Sequence, residues 1–131
     1  MGRVILDSSV LIAFYDESDL HFSAVRRQFE NRVDQYEISA LTITEVLSAP
    51  LARASGSKEM FMSAMKAAIH LVHPVTEEIA LLAGGTRIAS GLKTPDAIIS
   101  ATATLAGIQL WTCDQKLAKA HKGAILIGGE K

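Results

Sequence analysis

Four acidic residues, Asp7, Glu45, Asp96 and Asp114, each stand beside an apolar strand-like run or at a helix start, although long stretches of chain separate them. Asp7 closes Val4-Ile5-Leu6 and is followed by Ser8-Ser9; Asp114 follows Ile108-Gln109-Leu110-Trp111-Thr112-Cys113. Glu45 lies in Thr42-Ile43-Thr44-Glu45-Val46-Leu47, just after the strand-like Tyr36-Glu37-Ile38-Ser39, and Asp96 sits between Thr94-Pro95 and Ala97-Ile98-Ile99. In an open parallel sheet the carboxyl ends of the strands gather on one edge, so such side chains can meet. Clustered carboxylates repel one another, and they respond by holding protons more tightly or by taking up a hard divalent cation. Mg²⁺ and Mn²⁺ prefer oxygen ligands and keep several waters; an ion so held makes a water a better nucleophile for in-line attack on a phosphodiester. Each residue taken alone has a plainer reading: Asp7 as a helix cap, Asp96 as a dipole-stabilising residue, Glu45 on a solvated helix face, Asp114 in a turn.

The elements that must position these groups follow from apolar periodicity. Arg3–Leu6 is a buried strand, Ser8 or Ser9 caps a short helix through Phe14, and Asp16 to Asp19 is a polar loop. His21 to Arg32 reads as an amphipathic helix with Phe22, Val25 and Phe29 in register, and Tyr36 to Ser39 as the next strand. Thr42 or Thr44 opens the helix carrying Glu45, which Pro50 kinks or shortens. Ser55-Gly56-Ser57 breaks the chain before a helix over Lys58 to Ala68, and Ile69 to Val72 is a strand ended by Pro74. Thr76-Glu77-Glu78 starts a helix that ends before Gly91. Thr94 as cap, Pro95 at the first helical position and Asp96 start another, which stops at Gly107. Ile108 to Thr112 is a strand, Gln115 to Ala120 a short helix, and Ala124 to Ile127 a last strand. Strands and helices alternate, which predicts an α/β domain over residues 1–131 with a parallel sheet covered on both faces.

Composition narrows the function. At 131 residues the chain has the length of one domain, and 49% hydrophobic against 21% charged residues is apolar enough to suggest a buried partner or oligomer surface. The net charge of -1, from 13 basic and 14 acidic residues, excludes a strongly basic nucleic-acid-coating domain. Contact with a polyanion falls to a local patch drawn from Arg26, Arg27, Arg32, Arg53, Lys58, Arg87, Lys93, Lys116, Lys119 and Lys122. Cys113 is the only cysteine, which fits a reducing, cytoplasmic compartment, and its place at the end of an apolar run favours a packed thiol over a nucleophile. No signal peptide or membrane span is expected. Glycine-rich phosphate loops and H-E-x-x-H are absent, and His21, His70, His73 and His121 lack metal-ligand spacing.

These motifs together resemble the PIN-domain family, and in particular the VapC-type toxins of toxin–antitoxin pairs, across essentially the whole chain. The resemblance rests on Val4 to Ile12, Ser39 to Val46, Leu92 to Ala97 and Leu110 to Asp114, in that order and spacing. It implies a three-layer α/β/α fold with a central parallel sheet and an Mg²⁺- or Mn²⁺-dependent endoribonuclease leaving a 5′-phosphate and a 3′-hydroxyl. It also implies metal-binding and catalytic roles for Asp7, Glu45 and Asp96, with Asp114 at a fourth, more variable position. Ser9 and Thr112 match small polar residues that support the carboxylates. The implied partners are an RNA substrate, a cognate antitoxin and a second copy in a homodimer; a surface around Met60, Phe61 and Met65 fits such contacts. Leu117 departs from the pattern, where many relatives carry an aromatic residue.

Rival readings are a PIN-like RNA-processing nuclease without an antitoxin, a catalytically silent binding module, and a phosphate-signalling receiver domain. The last calls for adjacent acidic residues after the first strand, where this chain has Ser8-Ser9.

Overall fold

The computed structural model describes residues 2–30, 34–54 and 56–128. The predicted helix end at Arg32 and Ser55 of the predicted break lie outside these. Among the described residues the chain runs β1 (Arg3–Leu6), α1 (Ser8–Tyr15), α2 (Phe22–Glu30), β2 (Gln35–Ser39), α3 (Ala40–Leu47), α4 (Pro50–Ala54) and α5 (Lys58–Ala67). It continues through β3 (Leu71–His73), α6 (Glu77–Ser90), α7 (Thr94–Ala106), β4 (Gln109–Thr112), α8 (Gln115–Ala120) and β5 (Ile125–Leu126). The strands form one all-parallel sheet in the order β3-β2-β1-β4-β5. The fold is therefore the expected three-layer α/β/α arrangement.

Strand alternation divides the core. Val4 and Leu6 of β1, Ile38 of β2 and Trp111 of β4 face a cluster closed by Val10, Val25, Val46 and Met65. Ile5 and Leu110 point to the other side, against Ile79 and Ala83 of α6, Ala97, Ile99, Ala101 and Ala103 of α7, and Leu117 of α8. A parallel sheet buried on both faces needs apolar residues at successive strand positions, and Val4-Ile5-Leu6 supplies them. Leu117, where the chain departs from the expected aromatic pattern, is fully buried in this core. Met65 is likewise core and only Met60 is broadly exposed, which splits the methionine surface anticipated from sequence.

Several boundaries move for identifiable reasons. Helix α3 starts at Ala40 rather than at a threonine, because the Ser39 hydroxyl accepts the Leu41 N–H and caps it at once. Pro50 does not kink that helix; it opens α4, where a missing N–H costs nothing. In α7 the cap position belongs to Lys93, whose side chain makes no capping bond, and Thr94-Pro95-Asp96 already form the first turn. Gly91 and Gly107 end α6 and α7 in the left-handed region, with φ of 73° and 69°, where a side chain would be strained.

Candidate active site

β1 is the central strand, and the chain leaves it for β2 on one side and β4 on the other. Such a reversal opens a crevice at the strands' carboxyl ends, where α/β proteins place their ligands. Asp7 directly follows β1 and Asp114 lies two residues beyond β4. Glu45 is carried in the second turn of α3, which leaves the end of β2, and Asp96 in the first turn of α7.

The Asp7 backbone starts α1, but its carboxylate makes no capping bond, so the cap reading does not account for it. Its Oδ2 accepts two hydroxyls instead, from Ser9 at 2.7 Å and Thr112 at 2.9 Å. Those hydroxyls in turn accept backbone N–H groups, Ser9 from Cys113 and Thr112 from Asp114, each at 3.0 Å. The Asp7 N–H meets the Trp111 carbonyl at 3.0 Å. This lattice ties the end of β1 to the end of β4. Against the expectation that Ser8 or Ser9 caps α1, the cap position is Asp7 and both serines lie in the first turn; Ser9 serves Asp7, and the Ser8 side chain hydrogen-bonds Glu45.

The carboxylates stand near enough to feel one another's charge. Burial raises Asp7 above the usual carboxyl range, the two hydroxyls and the Ser8 backbone oppose the rise, and the Asp114 charge adds to it. Glu45 is also raised, by burial and by Asp7, with Ser8 working against them. Asp96 is pushed up to about 6, first by burial and then by the charges of Asp7, Asp114 and Glu45, with Lys93 in opposition. Asp114 does act as a helix cap, its Oδ1 accepting the N–H groups of Lys116 at 2.8 Å and Leu117 at 3.3 Å. Among the described residues no three acidic, histidine or cysteine side chains are close enough to cage an ion as they stand. The set is an open cluster of hard oxygen donors, which suits a cation that keeps waters and shares phosphate oxygens.

Neighbouring groups divide cleanly. Cys113 is buried, and its thiol is pushed up to about 12, chiefly by burial, so the packed reading holds over the nucleophilic one. His73 and His121 make side-chain contacts with Glu37 and Ser100, both at 2.7 Å. Sequence reasoning missed Ser8 as a partner of Glu45 and Lys93 as the cation beside Asp96. Ser8 adjoins a candidate carboxylate and Lys93 precedes Thr94-Pro95-Asp96, the only signals available. No helix among the described residues is long and apolar enough to cross a membrane.

Residues 4–123 match the family model described as PIN domain. The chain belongs to the PIN-domain family. Among solved structures it is similar to a toxin–antitoxin complex from Klebsiella pneumoniae, at 25% identity and a TM-score of 0.76, over 93% of this chain and 95% of that one. It also resembles Mycobacterium tuberculosis VapC20, a sarcin–ricin-loop-cleaving toxin, at 18% identity and a TM-score of 0.75 over 89% and 94% of the two chains. FitAcB from Neisseria gonorrhoeae shares the fold at 17% identity and a TM-score of 0.69, over 94% and 96%. No curated protein sequence matches the chain.

Proposed function

We propose that this PIN domain is an Mg²⁺- or Mn²⁺-dependent endoribonuclease, the toxin of a VapBC-type toxin–antitoxin pair, acting in the cytoplasm as a homodimer. The observation that carries the reading is the convergence at Asp96, whose proton affinity responds to Asp7, Glu45 and Asp114 together at the switch point of the sheet. The family match and the likeness to toxin–antitoxin structures support it.

In this reading Asp7, Glu45 and Asp96 hold the metal and Asp114 orients a water or a second ion. The bound cation supplies a more nucleophilic water and neutralises charge developing on the phosphate. Ser9 and Thr112 fix Asp7 by donating to Oδ2, and the same hydroxyls fix the backbone that presents Asp114. Asp114 has one oxygen committed to capping α8, which suits an orienting role better than a bridging one. Lys93, beside Asp96, can meet an RNA phosphate at the rim. With a net charge of -1, an acidic crevice draws little RNA until its cation is bound. Cleavage leaves a 5′-phosphate and a 3′-hydroxyl, and a cognate antitoxin blocks the crevice.

The test is cleavage of a structured RNA by purified protein with Mn²⁺, with Mg²⁺ and with EDTA. Asp7→Asn and Glu45→Gln are expected to remain folded and lose at least about a hundredfold in rate, the scale of losing groups that position and stabilise a transition state. Undiminished metal-dependent cleavage by both variants would refute the site.

A further inference from the structure

Helix α8 has Asp114 at its start, yet it is only 6 residues long, too short to hold its shape or place unaided. The carboxylate moves with the helix, because Asp114 Oδ1 accepts the N–H groups of Lys116 and Leu117. Whatever seats α8 against α7 therefore decides where Asp114 stands relative to Asp96. Leu117 is buried with Ala97 and Ala101 of α7, but apolar contact has no direction and lets a short helix roll or slide. The bond from Lys116 Nζ to the Gly91 carbonyl is long, at 3.3 Å, and exposed to competing water.

A third tie is of another kind. Ser100 lies one turn beyond Asp96 on the same face of α7, and His121 is the residue that ends α8. The buried Ser100 hydroxyl and His121 Nδ1 are 2.7 Å apart. A hydroxyl inside a helix commonly turns back to the carbonyl four residues earlier, and Thr86, Ser90, Thr102 and Thr104 of α6 and α7 all do so. Ser100 departs from its neighbours. Among the described residues its hydroxyl meets no other acceptor, so its single proton points at Nδ1. The ring is then neutral and carries its own proton on Nε2, the form favoured by the burial that lowers the His121 proton affinity. The His121 backbone is fixed on both sides: its N–H meets the Leu117 carbonyl at 2.9 Å, and its carbonyl accepts the Ala124 N–H at 3.1 Å.

We propose that Ser100 and His121 are a positioning pair, locking α8 to α7 so that Asp114 is held in register with Asp96 across the crevice. Of the three ties between these helices, this is the one that is short, directional and shielded. The pair acts through the two carboxylates, whose separation a shift of α8 would change. The inference rests on the nuclease reading of the crevice and adds to it two residues outside the acidic set.

The test joins nuclear magnetic resonance to kinetics. In metal-free wild type at pH 7.5 the His121 ring is expected to show Nδ1 bare and Nε2 protonated. Ser100→Ala and His121→Leu are expected to stay folded by circular dichroism, with amide exchange at Lys116 and Leu117 faster by about fivefold, the worth of one net hydrogen bond. With Mn²⁺, kcat for RNA cleavage should fall about tenfold or more while KM stays within about twofold, since misplacing a catalytic group by about 1 Å can cost about a hundredfold. His121→Asn sets an acceptor oxygen where Nδ1 stood, and should restore both exchange and kcat, which a general loss of packing would not allow. Exchange and kcat unmoved in Ser100→Ala and His121→Leu, or a loss that His121→Asn fails to restore, overturns the pair and leaves the nuclease standing. A wild type without metal-dependent cleavage overturns the nuclease reading, and with it a catalytic purpose for the pair, whatever the exchange shows.

Discussion

Replacing Asp96 by asparagine should make the metal-free protein more stable while disabling it. The wild-type carboxyl holds its proton up to about 6, against 3.8 for an ordinary aspartate. Across that window the folded chain carries more protons than the unfolded one, so stability falls as pH rises, and the loss is complete at neutral pH. At ~1.36 kcal/mol per pH unit the full gap amounts to about 3 kcal/mol. The carboxyl is partly open to water, and screening reduces this to about 1–2 kcal/mol. Asparagine keeps the shape and removes the charge. Asp96→Asn should therefore melt about 4–8 °C above the wild type at pH 7.5 in EDTA and low salt, at ~4 °C per kcal/mol for a domain of this size. The gap should shrink towards pH 4, where the wild-type carboxyl is already neutral in the folded state. Mn²⁺ should reverse the order, since a ligand at a hundred times its dissociation constant adds about 2.7 kcal/mol to the protein that binds it. An Asp96→Asn variant no more stable than wild type in EDTA at pH 7.5, or a gap unchanged at pH 4, would refute the reasoning.

Three further outcomes follow from other contacts. Thr112→Val removes a donor to Asp7 and leaves the Asp114 N–H unpaired; about 2–4 kcal/mol should be lost, seen as a urea midpoint about 1–2 M lower at an m of about 2 kcal/mol/M, whereas Thr112→Ser keeps most of it. At fully buried Glu37, burial pushes the carboxyl up, but hydrogen bonds and charge from Arg3 and His73 overcome it and hold it below the usual range. Its stabilisation is present above the ordinary value of 4.5 and lost as pH falls through the lower folded value, so Glu37→Gln should melt below the wild type at pH 7, with the difference closing in acid. Cys113 should resist iodoacetamide at pH 8 in the native protein and react in urea, because its thiol stays protonated until about 12.

What could be read in advance was local. Apolar runs and Gly107 announce most strands and helices within a residue or two, since those signals lie inside the element they govern; capping residues sometimes mislead, for α3 starts two to four residues before the expected threonines, and nothing announces α4. The edge strands differ from the expected ones: β3 lies at Leu71–His73 rather than Ile69–Val72, so Ile69 packs on the core from outside it, and β5 is Ile125–Leu126 rather than Ala124–Ile127. An apolar residue marks burial, and burial alone does not make a strand. The carboxylates were visible because each adjoins its element. Their supports were visible only in part, because hydrogen bonds such as Thr112 to Asp7 span 105 residues. Glu37 reads as an ordinary strand residue until Arg3 and His73, 34 and 36 positions away, close around it.

The strand order also bears on when activity can arise during synthesis. β1 is made before β2 and can find it soon after, yet its other edge must wait for β4, far later in the chain. Asp7 gains the Thr112 hydroxyl only at that moment. Contacts this distant in sequence form late and pay their loop closure last. If the crevice is a nuclease, the growing polypeptide has no working centre until β4 has been made and has paired with β1.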